Sequence, residues 1–184
     1  MSERLPLIPV EAMTPAQRAV HDAIVSGPRA GIGGPFMAWL HSPQFADRAQ
    51  SLGELVRFGT SISQRLKELG ILMTARHWTA QFEWYAHEKL AREAGLEDAI
   101  IDAIRVGAPP PIADAAGRVV HQFTKELLDT RQVSDATFEE ARETFGQAGV
   151  VELVGVLGYY TLVSMTLNVF EVEAPGPGLA HLDD

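Results

Sequence analysis

Residues 153–170 read LVGVLGYYTLVSMTLNVF, eighteen consecutive positions without a charge. A stretch like this must leave water. A helix apolar on every side does so in a bilayer, at the centre of a bundle or at a subunit interface. Its flanks are Glu152, Glu171 and Glu173, with no Lys or Arg to mark a cytoplasmic side. Tyr159, Tyr160, Thr161, Ser164, Thr166 and Asn168 add polar atoms along it, and lipid would leave these without partners. The expectation is a buried helix and no membrane partner.

The rest of the chain has to supply the helices that bury it. Residues 1–13, with Pro6 and Pro9, read as an irregular arm. Thr14-Pro15 is a helix start, a capping hydroxyl followed by proline at the first helical position, and opens a helix over 16–24. The Gly31-Ile32-Gly33-Gly34-Pro35 segment is a turn. It lacks the preceding strand and following Lys-Ser/Thr of a phosphate loop. Ser42-Pro43 opens the next helix, with Phe45, Ala49, Leu52, Leu55 and Val56 recurring at helical spacing up to Gly59. Ser63 caps a stretch with Leu66, Leu69, Leu72 and Met73 on one face, and a second stretch runs through Phe82, Ala86, Leu90 and Ala91 to Gly95. Further helices are predicted over 97–105, 113–130, 135–145 and 150–170, before a Gly/Pro tail at 174–184. No alternating strand pattern exceeds four residues. The reading is one all-α domain of about seven helices spanning 1–184.

Composition closes several functional classes. Lys plus Arg is 15 against 24 for Asp plus Glu, a net charge of −9. No basic run is present to neutralise phosphates, so nucleic acid is not an expected partner. The chain has 0 Cys, which removes disulfides, thiolate zinc sites, iron–sulfur clusters and cysteine nucleophiles together. The first 25 residues carry no apolar core of a secretory signal, and a cytoplasmic location is the default.

The segment most able to do chemistry is 74–87, TARHWTAQFEWYAH. Glu83 and His87 are four apart, so on a helix they share a face, and such a pair can move a proton near neutral pH. Glu68 lies fifteen residues before Glu83. If 64–94 were one straight helix, Glu68 and His87 would stand on the order of 28 Å apart. If the chain turns back near His77-Trp78-Thr79, with Thr79 as N-cap of the second arm, the two residues come level. The length of a continuous helix favours the turn. A plain surface pair is the simplest use of Glu83 and His87. No HExxH motif is present, and too few ligands are in sight to expect a metal. Arg76 or His41 could hold a substrate carboxylate, Arg76 being favoured for its forked guanidinium. Phe36, Trp39, Trp84 and Tyr85 make either core or an aromatic pocket. His41 and His121 otherwise stand alone and read as structural.

At these residues the sequence resembles the carboxymuconolactone decarboxylase-like family, which includes the alkyl hydroperoxidase D proteins. The resemblance runs through GPFMAWLHSP (34–43), RLKELGILMTARHW (65–78), FEWYAHEKLAREAGL (82–96) and VVELVGVLGYYTLVSMTLN (150–168). The family signature is a glutamate, a C-x-x-C about a dozen residues on, and a histidine four residues after the second cysteine. Glu68 and His87 match the glutamate and histidine, while Ala80 and Glu83 stand at the cysteine positions. Thiol peroxidase chemistry therefore has no thiols to run on. The decarboxylase branch depends on acid–base groups instead. The resemblance implies a helical fold around a helix hairpin, a trimer or hexamer, and catalysis by His87, Glu83 and Glu68 without a cofactor. Arg76, His41, Phe36 and Trp84 would line the substrate site. The expected activity is a lyase acting on a small carboxylated lactone or enol-type acid. The alternatives are an oligomeric ligand-binding relative without chemistry, or a metal-dependent enzyme using Glu83 and His87.

Overall fold

The computed structural model describes residues 4–29, 31–175 and 182. Among these the chain is all-helical, in the order α1 (Pro15–Ser26), α2 (Pro35–Trp39), α3 (Pro43–Glu54), a π-turn (Leu55–Gly59), α4 (Gln64–His77), α5 (Gln81–Glu93), α6 (Asp98–Arg105), α7 (Ala115–Thr130) and α8 (Asp135–Val169). Periodicity revealed neither short α2 nor the single 3-10 turn Val10–Ala12 within the N-terminal arm, since so few residues cannot display a helical repeat. Local chemistry sets most boundaries. Thr14 and Gln17 form a reciprocal capping box, and the Ser63, Asp114 and Ser134 side chains each accept a backbone N–H of the helix they start. α7 begins at Ala115 rather than at 113 because Asp114 is its cap.

The chain does turn back after α4. Thr79 adopts a left-handed φ of 47° within the reversal, so Ala80, not Thr79, is the N-cap residue of α5. The amides of Thr79 and Ala80 donate to the carbonyls of Arg76 and Ala75, closing the turn without Gly or Pro. α8 bends at Gly146, whose φ of 70° and ψ of 174° separate a polar arm from the apolar arm.

Two apolar clusters share that apolar arm. One unites α4 to α7 through Leu69, Leu72, Trp84, Ile101, Val120 and Phe123 with Leu153 and Leu157 of α8. The other joins α1 to α3 through Ile24, Trp39, Leu40, Ala46 and Ala49 with Val156, Tyr159, Tyr160, Val163 and Leu167. The uncharged run is thus the partition wall of the bundle, a core helix. The arm before α1 is anchored at Arg4, which bonds Val169 O and pairs with Glu171. Beyond Pro175 only Leu182 of the tail is described. It is buried, and exchanges two backbone hydrogen bonds with the Gln81 side chain.

The face of α3 departs from the periodic reading. Phe45, Leu52 and Leu55 are exposed, and the buried side is Ala46, Ala49 and Gly53, continued by Val56. Only small residues allow the close approach made there. A Cβ on Gly53 would sit 2.1 Å from Tyr159 Oη and 2.6 Å from Arg29 Nη2.

Candidate active site

The hairpin brings Glu68 of α4 level with His87 of α5. His87 Nδ1 lies 2.7 Å from Glu68 Oε2, and its Nε2 lies 3.0 Å from Glu83 Oε1. All three are nine-tenths or more buried. Glu68 is steadied from behind by Gln64, whose amide donates to Oε1. Burial opposes a charge on His87, but the adjoining Glu83 and Glu68 outweigh it and push its pKa up to about 9. At neutral pH the imidazole is a cation donating from both nitrogens to two carboxylates. Both N–H groups are thereby committed, an arrangement suited to holding and passing a proton. Among the described residues no group of three His, Cys, Asp or Glu is placed to hold a metal ion.

One side of this relay opens on a cavity of about 180 Å³ lined by Glu83, His87, Phe36, Phe82, Tyr159, Tyr160, Arg29 and Arg57 among others. Glu68 stays behind the imidazole, outside the lining. The Tyr160 ring stands edge-on to His87, with centroids 4.8 Å apart. The glycine turn forms the rim through Gly31, Gly33 and Pro35. Gly34 holds a φ of 57° against the Phe82 ring, where a Cβ would meet Cε1 at 2.8 Å. That contact fixes how α2 presents Phe36 to the cavity.

Of the four residues expected to bind substrate, Phe36 alone lines this cavity. Arg76 faces a separate cavity of about 300 Å³ with His77, His121 and Lys125. His41 bonds Pro6 O at 2.9 Å and ties down the N-terminal arm. Trp84 is 1% exposed and packs into the α4–α7 core. Trp39 belongs to the other core, where its Nε1 donates to Thr166 at 3.0 Å, and Tyr85 is partly exposed on the outer face of α5.

The cavity's cations come from elsewhere. Arg29 lies above the Phe36 ring at 4.8 Å, and Arg57 belongs to the π-turn. Neither forms an ion pair among the described residues, and the buried Nε and Nη2 of Arg29 have no hydrogen-bond partner there. Tyr159 Oη is also buried and unpartnered. Burial pushes its pKa up to about 12, keeping it a neutral donor. These residues are far apart in sequence. The signal that could have flagged them was the tyrosine pair inside an otherwise apolar run.

No family model and no curated protein matches the sequence. Solved structures do share the fold. A protein from Ralstonia eutropha JMP134, described as the alkylhydroperoxidase AhpD core of an uncharacterised peroxidase-related protein, has a TM-score of 0.76 at 14% identity, over 93% of this chain and 91% of that one. A putative antioxidant defence protein AhpD from Agrobacterium tumefaciens gives 0.67 at 18% identity, over 76% of this chain and 96% of that one. A peroxidase-related protein from Silicibacter sp. TM1040 gives 0.73 at 10% identity, over 94% and 92%. At these identities the likeness shows the fold.

Proposed function

From the AhpD-type fold and its buried Glu68–His87–Glu83 relay, we propose that the chain is a cofactor-free acid–base lyase. Its chemistry would resemble that of carboxymuconolactone decarboxylase, acting on a small carboxylated lactone or enol-type acid. The observation that carries this reading is the doubly bonded His87, an acid kept charged at neutral pH beside a small cavity. In decarboxylation the C–CO2 bond breaks and its electron pair moves into an adjoining unsaturated or carbonyl system. The resulting carbanion equivalent then takes a proton at carbon. His87 passes its Nε2 proton to Glu83, which faces the cavity and hands that proton on to the carbon. Glu68 keeps the Nδ1 hydrogen bond throughout, and water reloads the imidazole. A carboxylate occupies Glu83's position, where the thiol branch of the resembled family has its second cysteine, so proton transfer replaces sulfur chemistry there. The same reading makes the protein cytoplasmic and homo-oligomeric, in the trimer or hexamer the resemblance implies.

The test is loss of γ-carboxymuconolactone absorbance with purified protein and with His87→Gln. Turnover by the wild type that drops on the order of 10²–10⁴-fold in the variant is the expected result. Equal turnover in both would remove His87 from the chemistry, and none in the wild type would remove this substrate.

A further inference from the structure

We propose that Arg29 and Tyr159, packed against Gly53 and assisted by Arg57, form a seat for a substrate carboxylate in the cavity beside the relay. This rests on the acid–base reading for what the seat presents to the relay, but binding at the seat can be tested without turnover.

Three observations converge on it. Tyr159 is 4% exposed, lines the cavity, and has a hydroxyl with no partner. A buried hydroxyl left unpaired is costly, and its neutral O–H is a donor waiting for an acceptor. Arg29 brings a buried Nε and Nη2 in the same condition. Both groups pack against the backbone of Gly53, which sets their polar atoms close to each other, so one carboxylate can accept from both. A carboxylate suits this pairing because its two oxygens match the guanidinium fork and still accept from an O–H.

Arg29 and Arg57 line the cavity without an ion-pair partner among the described residues, and they give an anionic group the cationic surroundings it needs. The cavity, about 180 Å³, is also below the roughly 300–1,000 Å³ usual for small-molecule sites. The ligand class is a small carboxylate, the group that the carboxylated lactone or enol-type acid of the proposed function carries. The edge-to-face rings of Tyr159 and Tyr160, 5.4 Å apart, and then of Tyr160 and His87 connect the seat to the relay.

Benzoate and its neutral isostere benzamide are the probes, titrated calorimetrically into the full chain at pH 7. Benzoate should saturate the wild type at millimolar concentration and bind about tenfold or more tighter than benzamide. Arg29→Met should lose about tenfold, and Tyr159→Phe about three- to tenfold, for benzoate only. Tyr159→Phe should keep or raise its melting temperature, since its hydroxyl has no partner in the fold, and this separates a binding role from a structural one. Gly53→Ala leaves both donors in the sequence but pushes them apart, so it should weaken benzoate equally if the variant melts cooperatively. Benzamide binding as well as benzoate, or Arg29→Met and Tyr159→Phe both binding benzoate like the wild type, would overturn the seat, as would no saturable benzoate binding. None of these outcomes depends on whether His87→Gln abolishes turnover, so the seat and the acid–base reading fail separately.

Discussion

His87 carries its charge because two carboxylates surround it, and the fold is coupled to pH through that charge. In the unfolded chain an imidazole titrates near its ordinary value of 6.5, whereas in the folded protein it holds its proton to about 9. A pKa raised on folding stabilises the folded state fully below the unfolded value. The benefit fades as pH climbs toward the folded one. Here it is on the order of 3 kcal/mol below pH 6.5 and is gone above about pH 9. Thermal unfolding of the wild type should therefore show a melting temperature falling through this window, and His87→Gln should show a shallower slope there. An identical slope in both would mean that His87 does not hold its proton as described. The pair Glu83–His87 was legible from four-residue spacing. Glu68 needed the turn and the family resemblance, because nothing in composition states which helix faces which. Arg29 and Tyr159, 130 positions apart in sequence, were invisible for the same reason. Arg76 looked like the natural carboxylate partner for its forked guanidinium, yet it lines another cavity.

Elements place those side chains through a few directional contacts. α2 has only five residues and no helical stability of its own. It is held to α8 by the hydrogen bond from Trp39 Nε1 to Thr166 Oγ1, both residues buried. Phe36 and Pro35 of the same element wall the cavity, so that bond supports the site from behind. Thr166→Val keeps the shape but leaves the indole N–H without an acceptor. The expected cost is about 1–3 kcal/mol in urea unfolding, together with weaker ligand binding through a loosened α2. Stability within error of the wild type would show that α2 is held by packing alone. α3 teaches the complementary lesson. Of the residues that periodicity picked out, Ala49 and Val56 are buried, whereas the large Phe45, Leu52 and Leu55 are exposed and Ala46 and Gly53 take their place. Gly53 makes room for Tyr159 and Arg29, and a pattern of hydrophobicity does not encode a need for closeness.

The apolar arm of α8 has two sides, and the second accounts for side chains the bundle leaves in water. Its inner side builds both cores and the tyrosine wall of the cavity. Along the outer side Val151, Val154, Met165 and Val169 follow helical spacing and are exposed, Val151 at 72%. Single exposed apolar residues are ordinary, but a stripe on one helix is the sort of surface that another subunit covers. The proposed homo-oligomer uses this stripe, which would make assembly and site opposite faces of one helix. Light scattering after size-exclusion chromatography should give the wild type a mass that is a multiple of 20.0 kDa. Val151→Lys with Val154→Lys should bring it down to that unit. Since both side chains already face water, the variant should keep its helical circular dichroism, with little effect on the subunit's own packing. A wild type that runs as a 20.0 kDa species at every concentration, or an oligomer indifferent to both lysines, would refute assembly through this face.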